Sequence, residues 1–151
     1  MKITMHDQIM KPIKTPQWMR DLFKAIDALD MSTSGGLSCF ADNIEMQFGA
    51  NQVHGLAAVK EYFVTFDSPF KTVHNVTGVW QAGNMFVLQG SADIRKASDP
   101  SGKTLHVSPL MNLYWLDEQG KVELYIVIFP PAVARAAGIK YGGRVRSCVA
   151  T

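Results

Sequence analysis

Residues 72–96 read TVHNVTGVWQAGNMFVLQGSADIRK, and this stretch decides the fold. Two long runs rich in Val, Trp, Phe, Leu and Ile, near residues 72–81 and 85–96, flank Ala82-Gly83-Asn84, a turn of the kind that joins antiparallel neighbours. Downstream the pattern repeats. Residues 103–116 and 121–129 form two more strand-like runs, bounded by Ser98-Asp99-Pro100-Ser101-Gly102 and Asp117-Glu118-Gln119-Gly120. Strands of such length must twist and bend, so the meander is expected to curl and leave a concave face.

Upstream, the periodicity changes from two to between three and four. Thr15 and Pro16 give the start signal of a helix over Pro16 to Leu29, with Trp18, Leu22, Ala25, Ile26 and Leu29 on one face and Arg20, Asp21, Lys24 and Asp27 on the other. Asp30, Ser32 and Ser34 offer caps for a second short helix leading to Phe40. Ile44, Met46 and Phe48 then alternate with Glu45 and Gln47 as a half-buried strand ending in a turn at residues 49–51. Leu56, Val59, Tyr62, Phe63 and Phe66 predict a third helix from Gly55 to about Phe66. Helices first and a meander afterwards mean an α+β fold, a curved antiparallel sheet forming a cone packed on N-terminal helices. The expected organisation is an arm over 1–14, one domain over 15–137 and a tail over 138–151.

Bulk properties narrow the function classes. The 151 residues are 47% hydrophobic and 19% charged, which suits a single core and not a disordered chain. A net charge of +2 with mixed signs gives no nucleic-acid footprint, and the cluster Lys140, Arg144 and Arg146 reads as a solvated tail. No apolar run reaches the roughly 20 residues of a membrane helix, and the N-terminus shows no secretory pattern, so a cytoplasmic location is expected. Cys39 and Cys148 read as ordinary thiols. His54, His74 and His106 have no metal-ligand spacing, and no phosphate-binding loop or nucleophile elbow is present, so neither metal nor cofactor is expected.

Several phrases, in order, carry a resemblance: Phe40-Ala41-Asp42-Asn43-Ile44, then His54-Gly55 with Ala57, Val59 and Phe63, then His74-Asn75-Val76, Gly120-Lys121-Val122 and Phe129-Pro130-Pro131-Ala132. Together they resemble the SnoaL-like, polyketide cyclase-like family of the cone-shaped superfamily that includes ketosteroid isomerase and limonene epoxide hydrolase. The resemblance implies one or two acid/base carboxylates among apolar walls. Against the epoxide hydrolase, Val87 to Ile94 align without a gap and Asp93 falls on the catalytic carboxylate, whereas Ser91 replaces an arginine and Val127 a second aspartate. An epoxide-hydrolase mechanism is therefore not expected. Against ketosteroid isomerase, the base on the first strand is replaced by Gln47 or Phe48.

If Asp93 faces inward, Gln89 and Ser91 go with it, and Phe86, Leu88, Ala92 and Ile94 take the other face. The resemblance places Ser108, Leu110, Asn112 and Tyr114 inward on the next strand and Tyr125, Val127 and Phe129 on the last, with Trp18, Met46, Phe48 and Tyr62 as further walls. Asp93 is then the candidate general acid/base, and Asn112 and Tyr114, with Tyr125, the groups that stabilise negative charge on a substrate oxygen. The alternative has Asp93 at the mouth of the sheet, paired with Arg95 or Lys96. His74 and His106 are possible participants, though a strand histidine is more often structural.

Three readings follow. The first is a cofactor-independent lyase, isomerase or cyclase acting on a hydrophobic oxygenated small molecule. The second is a non-catalytic binding protein for an apolar ligand. The third is an interaction domain whose cavity is filled by its own side chains, favoured if the cavity falls below a few hundred Å³. The outer sheet face, with Leu113 and Trp115, makes a homodimer expected in each.

Overall fold

The computed structural model describes residues 9–130; the expected tail over 138–151, Cys148 and most of the arm lie outside them. The elements are β1 (Lys11–Ile13), α1 (Gln17–Ala28), a 3-10 turn (Gly36–Cys39), β2 (Phe40–Phe48), β3 (Asn51–His54), α2 (Leu56–Asp67), β4 (Phe70–Ala82), β5 (Met85–Lys96), β6 (Thr104–Leu116) and β7 (Val122–Ile128). The four expected C-terminal strands stand within a few residues of their predicted limits. Two short strands were not anticipated. β1 arises inside the expected arm and pairs with β4, and β3 follows the turn at Gly49 and pairs back onto β2.

The strands form one sheet in the order β1-β4-β5-β6-β7-β2-β3 among the described residues. Every pairing is antiparallel except β2 with β7, so the expected all-antiparallel sheet is corrected to a mixed one. The reason is topological. The chain leaves β2, crosses to the other edge through α2 and β4, and returns by the meander with β7 running beside β2 in the same direction. Curvature enters at β4, where the register slips between Val76 and Gly78 so that Thr77 has no partner of its own; its Oγ1 donates instead to the Gln89 carbonyl at 3.1 Å.

The helices lie on the concave face. α1 buries Met19, Leu22, Phe23, Ala25 and Ile26, a stripe at helical spacing. Pro16 occupies its N-cap position without a side-chain cap, so Thr15 does not cap it; the helix ends at Leu29, whose left-handed φ of 52° lets the Asp30 N–H reach the Ala25 carbonyl at 2.8 Å. The second helix expected before Phe40 is only a 3-10 turn. Gly36 explains its position, because a Cβ there would overlap the Asp21 carbonyl of α1. Met19, Leu22, Leu37, Ile44 and Val59 are completely buried between these layers, and at about 25 cal/mol per Å² such burial is the main force closing the fold.

Gly90 has a similar role in the sheet. An added Cβ would overlap the Asn75 carbonyl beside the slip in β4. Gly90→Ala is therefore expected to destabilise the protein by about 1–3 kcal/mol, the usual cost of overpacking, and to lower the thermal midpoint by several degrees. An unchanged melting curve would refute that account of the bend.

Candidate active site

Three titratable side chains meet where α1, α2 and β4 come together. Asp27 lies in the last turn of α1, where the helix dipole opposes a negative charge. Its carboxylate is held by His74 of β4: Oδ2 accepts the His74 backbone N–H at 3.1 Å, and Oδ1 lies 2.5 Å from the ring Nδ1. A carboxylate only accepts, so Nδ1 carries the proton and Nε2 is the nitrogen left to act on other groups. Phe23 packs on the imidazole with ring centroids 4.7 Å apart.

Asp67, the last residue of α2, is the third group. Only 8% of it is exposed, and burial pushes its carboxyl up to about 6, with the nearby Asp27 charge adding to the rise and His74 acting against it. A carboxyl tuned to that range changes charge just below neutrality, as proton exchange with a substrate requires.

Asp67 and His74 line a cavity between helices and sheet whose walls are chiefly aromatic and aliphatic: Ile26, Phe48, Phe63, Phe66, Phe70, Ile94, Leu110, Val127 and Phe129. Its free volume is about 60 Å³. Phe66 and Phe70, with centroids 6.4 Å apart, are partly exposed. Asp67 also borders an outer groove with Asp27, Ser68 and Lys71, so the carboxylate lies between cavity and surface.

Across the cavity, Asn112 is 1% exposed and donates from Nδ2 to the hydroxyls of Tyr114 and Tyr125, both at 3.1 Å. The tyrosine rings stack with centroids 4.8 Å apart, and burial raises the pKa of both phenols. This corrects one expectation. The donors of Asn112 serve the tyrosines and are not available to a substrate oxyanion, and the atom that remains free is the acceptor Oδ1, which has no partner among the described residues.

The largest correction concerns Asp93. Cross-strand partners share a face, and β5 pairs Leu88 with Asn112 and Ala92 with Ser108. Since Asn112 and Ser108 face inward, so do Phe86, Leu88, Ala92 and Ile94, while Gln89, Ser91 and Asp93 lie on the outer face. A slip of one residue inverts a strand's faces, and here the apolar set has the inner one. Asp93 pairs with Arg95 at 3.3 Å and accepts from the Thr104 hydroxyl at 3.3 Å.

The remaining candidates divide. Phe48, His74, Ser108, Leu110, Asn112, Tyr125, Val127 and Phe129 line the cavity. Tyr114, Met46 and Trp18 pack behind it; Trp18 meets Phe86 and Tyr114 edge-on at 5.5 and 5.3 Å. Tyr62 stacks on Phe66 and accepts from Asn51 Nδ2 at 3.1 Å. His106 pairs with Ile94 in the sheet, and His54, at the end of β3, forms an exposed pair with Glu45 at 3.4 Å. No three His, Cys, Asp or Glu side chains converge closely enough to hold a metal ion among the described residues. Sequence reading missed Asp67 because the apolar spacing of α2 ends at Phe66, and it passed over Asp27 as one more charge on the polar face of α1.

With this geometry in place, comparison with solved structures decides the fold. A ketosteroid isomerase-like-fold protein from Catenulispora acidiphila, in complex with trimethylamine, superposes with a TM-score of 0.68 at 12% identity, covering 87% of this chain and 99% of that one. TerC co-crystallised with polyporic acid gives 0.67 at 14%, covering 80% and 95%. A SnoaL-like polyketide cyclase candidate from Shewanella denitrificans gives 0.63 at 12%, covering 80% and 93%. The chain has the SnoaL-like cone fold. At these identities the likeness establishes the SnoaL-like architecture and leaves the chemistry to the residues. No family model matches the sequence, and no curated protein matches it.

The raised Asp67 carboxyl has a stability consequence whose sign is fixed. Because its folded value of about 6 exceeds the reference of 3.8, folding is favoured at pH below 3.8 and that contribution is lost as pH rises through 6. Asp67→Asn is therefore expected to stabilise the fold relative to wild type above pH 6, by up to about 3 kcal/mol at 1.36 kcal/mol per unit, with the difference vanishing near pH 4. Urea unfolding of both proteins across that interval measures it; a difference independent of pH would refute the burial of an ionising Asp67.

Proposed function

We propose that the chain is an acid/base enzyme, a lyase, isomerase or cyclase, that acts on a compact hydrophobic, oxygenated molecule in this cavity, with Asp67 as the proton-transferring group. The observation that carries the reading is a desolvated carboxylate placed inside an aromatic cavity beside an Asp-oriented imidazole. Burying such groups opposes folding, and carboxyls perturbed in this way cluster at functional sites. The Asp27–His74 pair supplies the second half of the chemistry: Asp67 takes a proton from carbon or hydroxyl, and His74, whose proton is held on Nδ1 by Asp27, presents the Nε2 lone pair as acceptor to a substrate hydroxyl. Asp93, paired with Arg95 outside the cavity, has no part in this reading.

At about 60 Å³ the cavity is smaller than the few hundred Å³ that ligand sites usually have, which is the criterion favouring an interaction domain. Entry therefore requires Phe66 and Phe70 to swing outward, and their partial exposure allows it. A closing aromatic wall also suits the chemistry, since excluding water strengthens every electrostatic interaction inside. A chain of similar fold, TerC, was co-crystallised with polyporic acid, which supports a small-molecule ligand by analogy.

The test is deuterium incorporation from heavy water into a panel of enolisable aromatic ketones, followed by mass spectrometry. Wild-type protein is expected to exchange at least one member, with a rate that rises through pH 6 as Asp67 ionises. Asp67→Asn should lose about 10²–10⁴ in rate, whereas Asp93→Asn should match wild type. Loss of exchange in Asp93→Asn with retention in Asp67→Asn would overturn the assignment.

We also propose a homodimer formed through the outer sheet face. Val73, Leu105, Val107, Met111 and Ile128 are large apolar side chains 40–56% exposed on β4, β6 and β7. A patch of this kind on one sheet face is characteristic of association surfaces. Sedimentation should show a dimer for wild type and a monomer for the double variant Val107→Glu and Met111→Glu; a wild-type monomer sinks the proposal.

A further inference from the structure

Asp27 shows how the open edge of the sheet holds a negative charge. β1 covers β4 only at residues 79–81, so the edge over residues 70–78 has no neighbouring strand among the described residues. There the His74 N–H points away from β5 and donates to Asp27 Oδ2 at 3.1 Å, so a carboxylate stands where the carbonyl of a further strand would be. Along an antiparallel ladder the N–H direction alternates, and Val76, two positions on and still ahead of the register slip, turns its N–H to the same open side. No acceptor for it occurs among the described residues.

The helix supplies the charge. α1 runs back along this edge, from Ile13 beside Val79 to Asp27 beside His74, which brings Arg20 and Lys24, one turn apart, alongside Val76. With Phe23, Ala28 and Val76 they line an open, chiefly apolar groove that the Asp27–His74 pair also borders. Both cations are exposed, and neither has a carboxylate within ion-pair distance among the described residues. Asp27 is the acid among the lining residues and is engaged by His74, while Asp21 of the same helix accepts from Gln17. Two cations against one carboxylate leave the groove net positive. We propose that this groove is a second ligand site, outside the cavity, for a small organic carboxylate: its oxygens meet the Val76 N–H, Arg20 and Lys24, and its apolar body lies on Phe23 and Val76. An added peptide strand does not fit, because Asp27 at residue 74 and β1 at residue 79 leave only residues 75–78, which the register slip interrupts.

The experiment titrates benzoate, and separately its neutral counterpart benzyl alcohol, into the ¹⁵N-labelled full chain near neutral pH while the backbone amides are followed by NMR. Benzoate is expected to shift the Val76 amide downfield, to shift that of Lys24 with it, and to bind there about tenfold more tightly than benzyl alcohol. The double variant Arg20→Gln and Lys24→Gln changes two exposed side chains and should lose about tenfold in benzoate affinity with benzyl alcohol unaffected. Equal affinities for the two probes overturn the proposal, as does an unchanged benzoate affinity in the double variant. Shifts confined to cavity residues such as Ala92 and Leu110, or no shift at all in millimolar benzoate, overturn it too. Inorganic phosphate carries charge without an apolar body; if it binds the groove as tightly as benzoate, the carboxylate assignment is wrong.

Discussion

The pairing of β5 with β6 governs the interior of this protein. Leu88 opposite Asn112 and Ala92 opposite Ser108 fix which half of each strand faces the helices, and a sheet permits no compromise because its side chains alternate strictly. Once Asn112 is inside, the apolar half of β5 must be inside with it. α1 and α2 can then bury their own apolar faces on a continuous concave surface, and the polar half of β5, with Asp93 and Arg95, is left to the outer side. Had the register slipped by one residue, Asp93 would face Ile26 and Phe63, and the packing of both helices would be lost.

Within that frame, the polar groups of the interior sit where regular structure ends or is interrupted. Asp67 is the terminal residue of α2, Asp27 is in the last turn of α1, and His74 is in the half of β4 before its slipped register. Each helix end brings a carboxylate to the same corner of the sheet. The α1 dipole disfavours Asp27 as an anion, and the His74 backbone N–H and ring offset that by holding both carboxylate oxygens. Asp67 has no comparable clamp, and its desolvation shows as a raised carboxyl. In the reading proposed above the two aspartates have different tasks, one orienting an imidazole and one exchanging protons.

The cavity between these groups and Asn112 is lined largely by aromatic rings. In the reading advanced here access depends on movement of Phe66 and Phe70, so binding and opening are coupled.

The sequence by itself determined the order and kind of the main elements, because periods of two and of three to four are local properties: the hairpin around Ala82-Gly83-Asn84, the later strands, and the apolar stripes of α1 and α2 all follow from spacing. It also placed Ser108, Leu110, Asn112, Tyr125 and Val127 on the inner face through a family resemblance spread over much of the chain. Tertiary structure alone decided which face of β5 is inner, since alternation defines two faces and only the partner strand says which is which. It alone revealed Asp67 and Asp27 as neighbours of His74, because residues 27, 67 and 74 come together only when two helix ends are packed against one strand, and no local pattern in the sequence encodes that meeting.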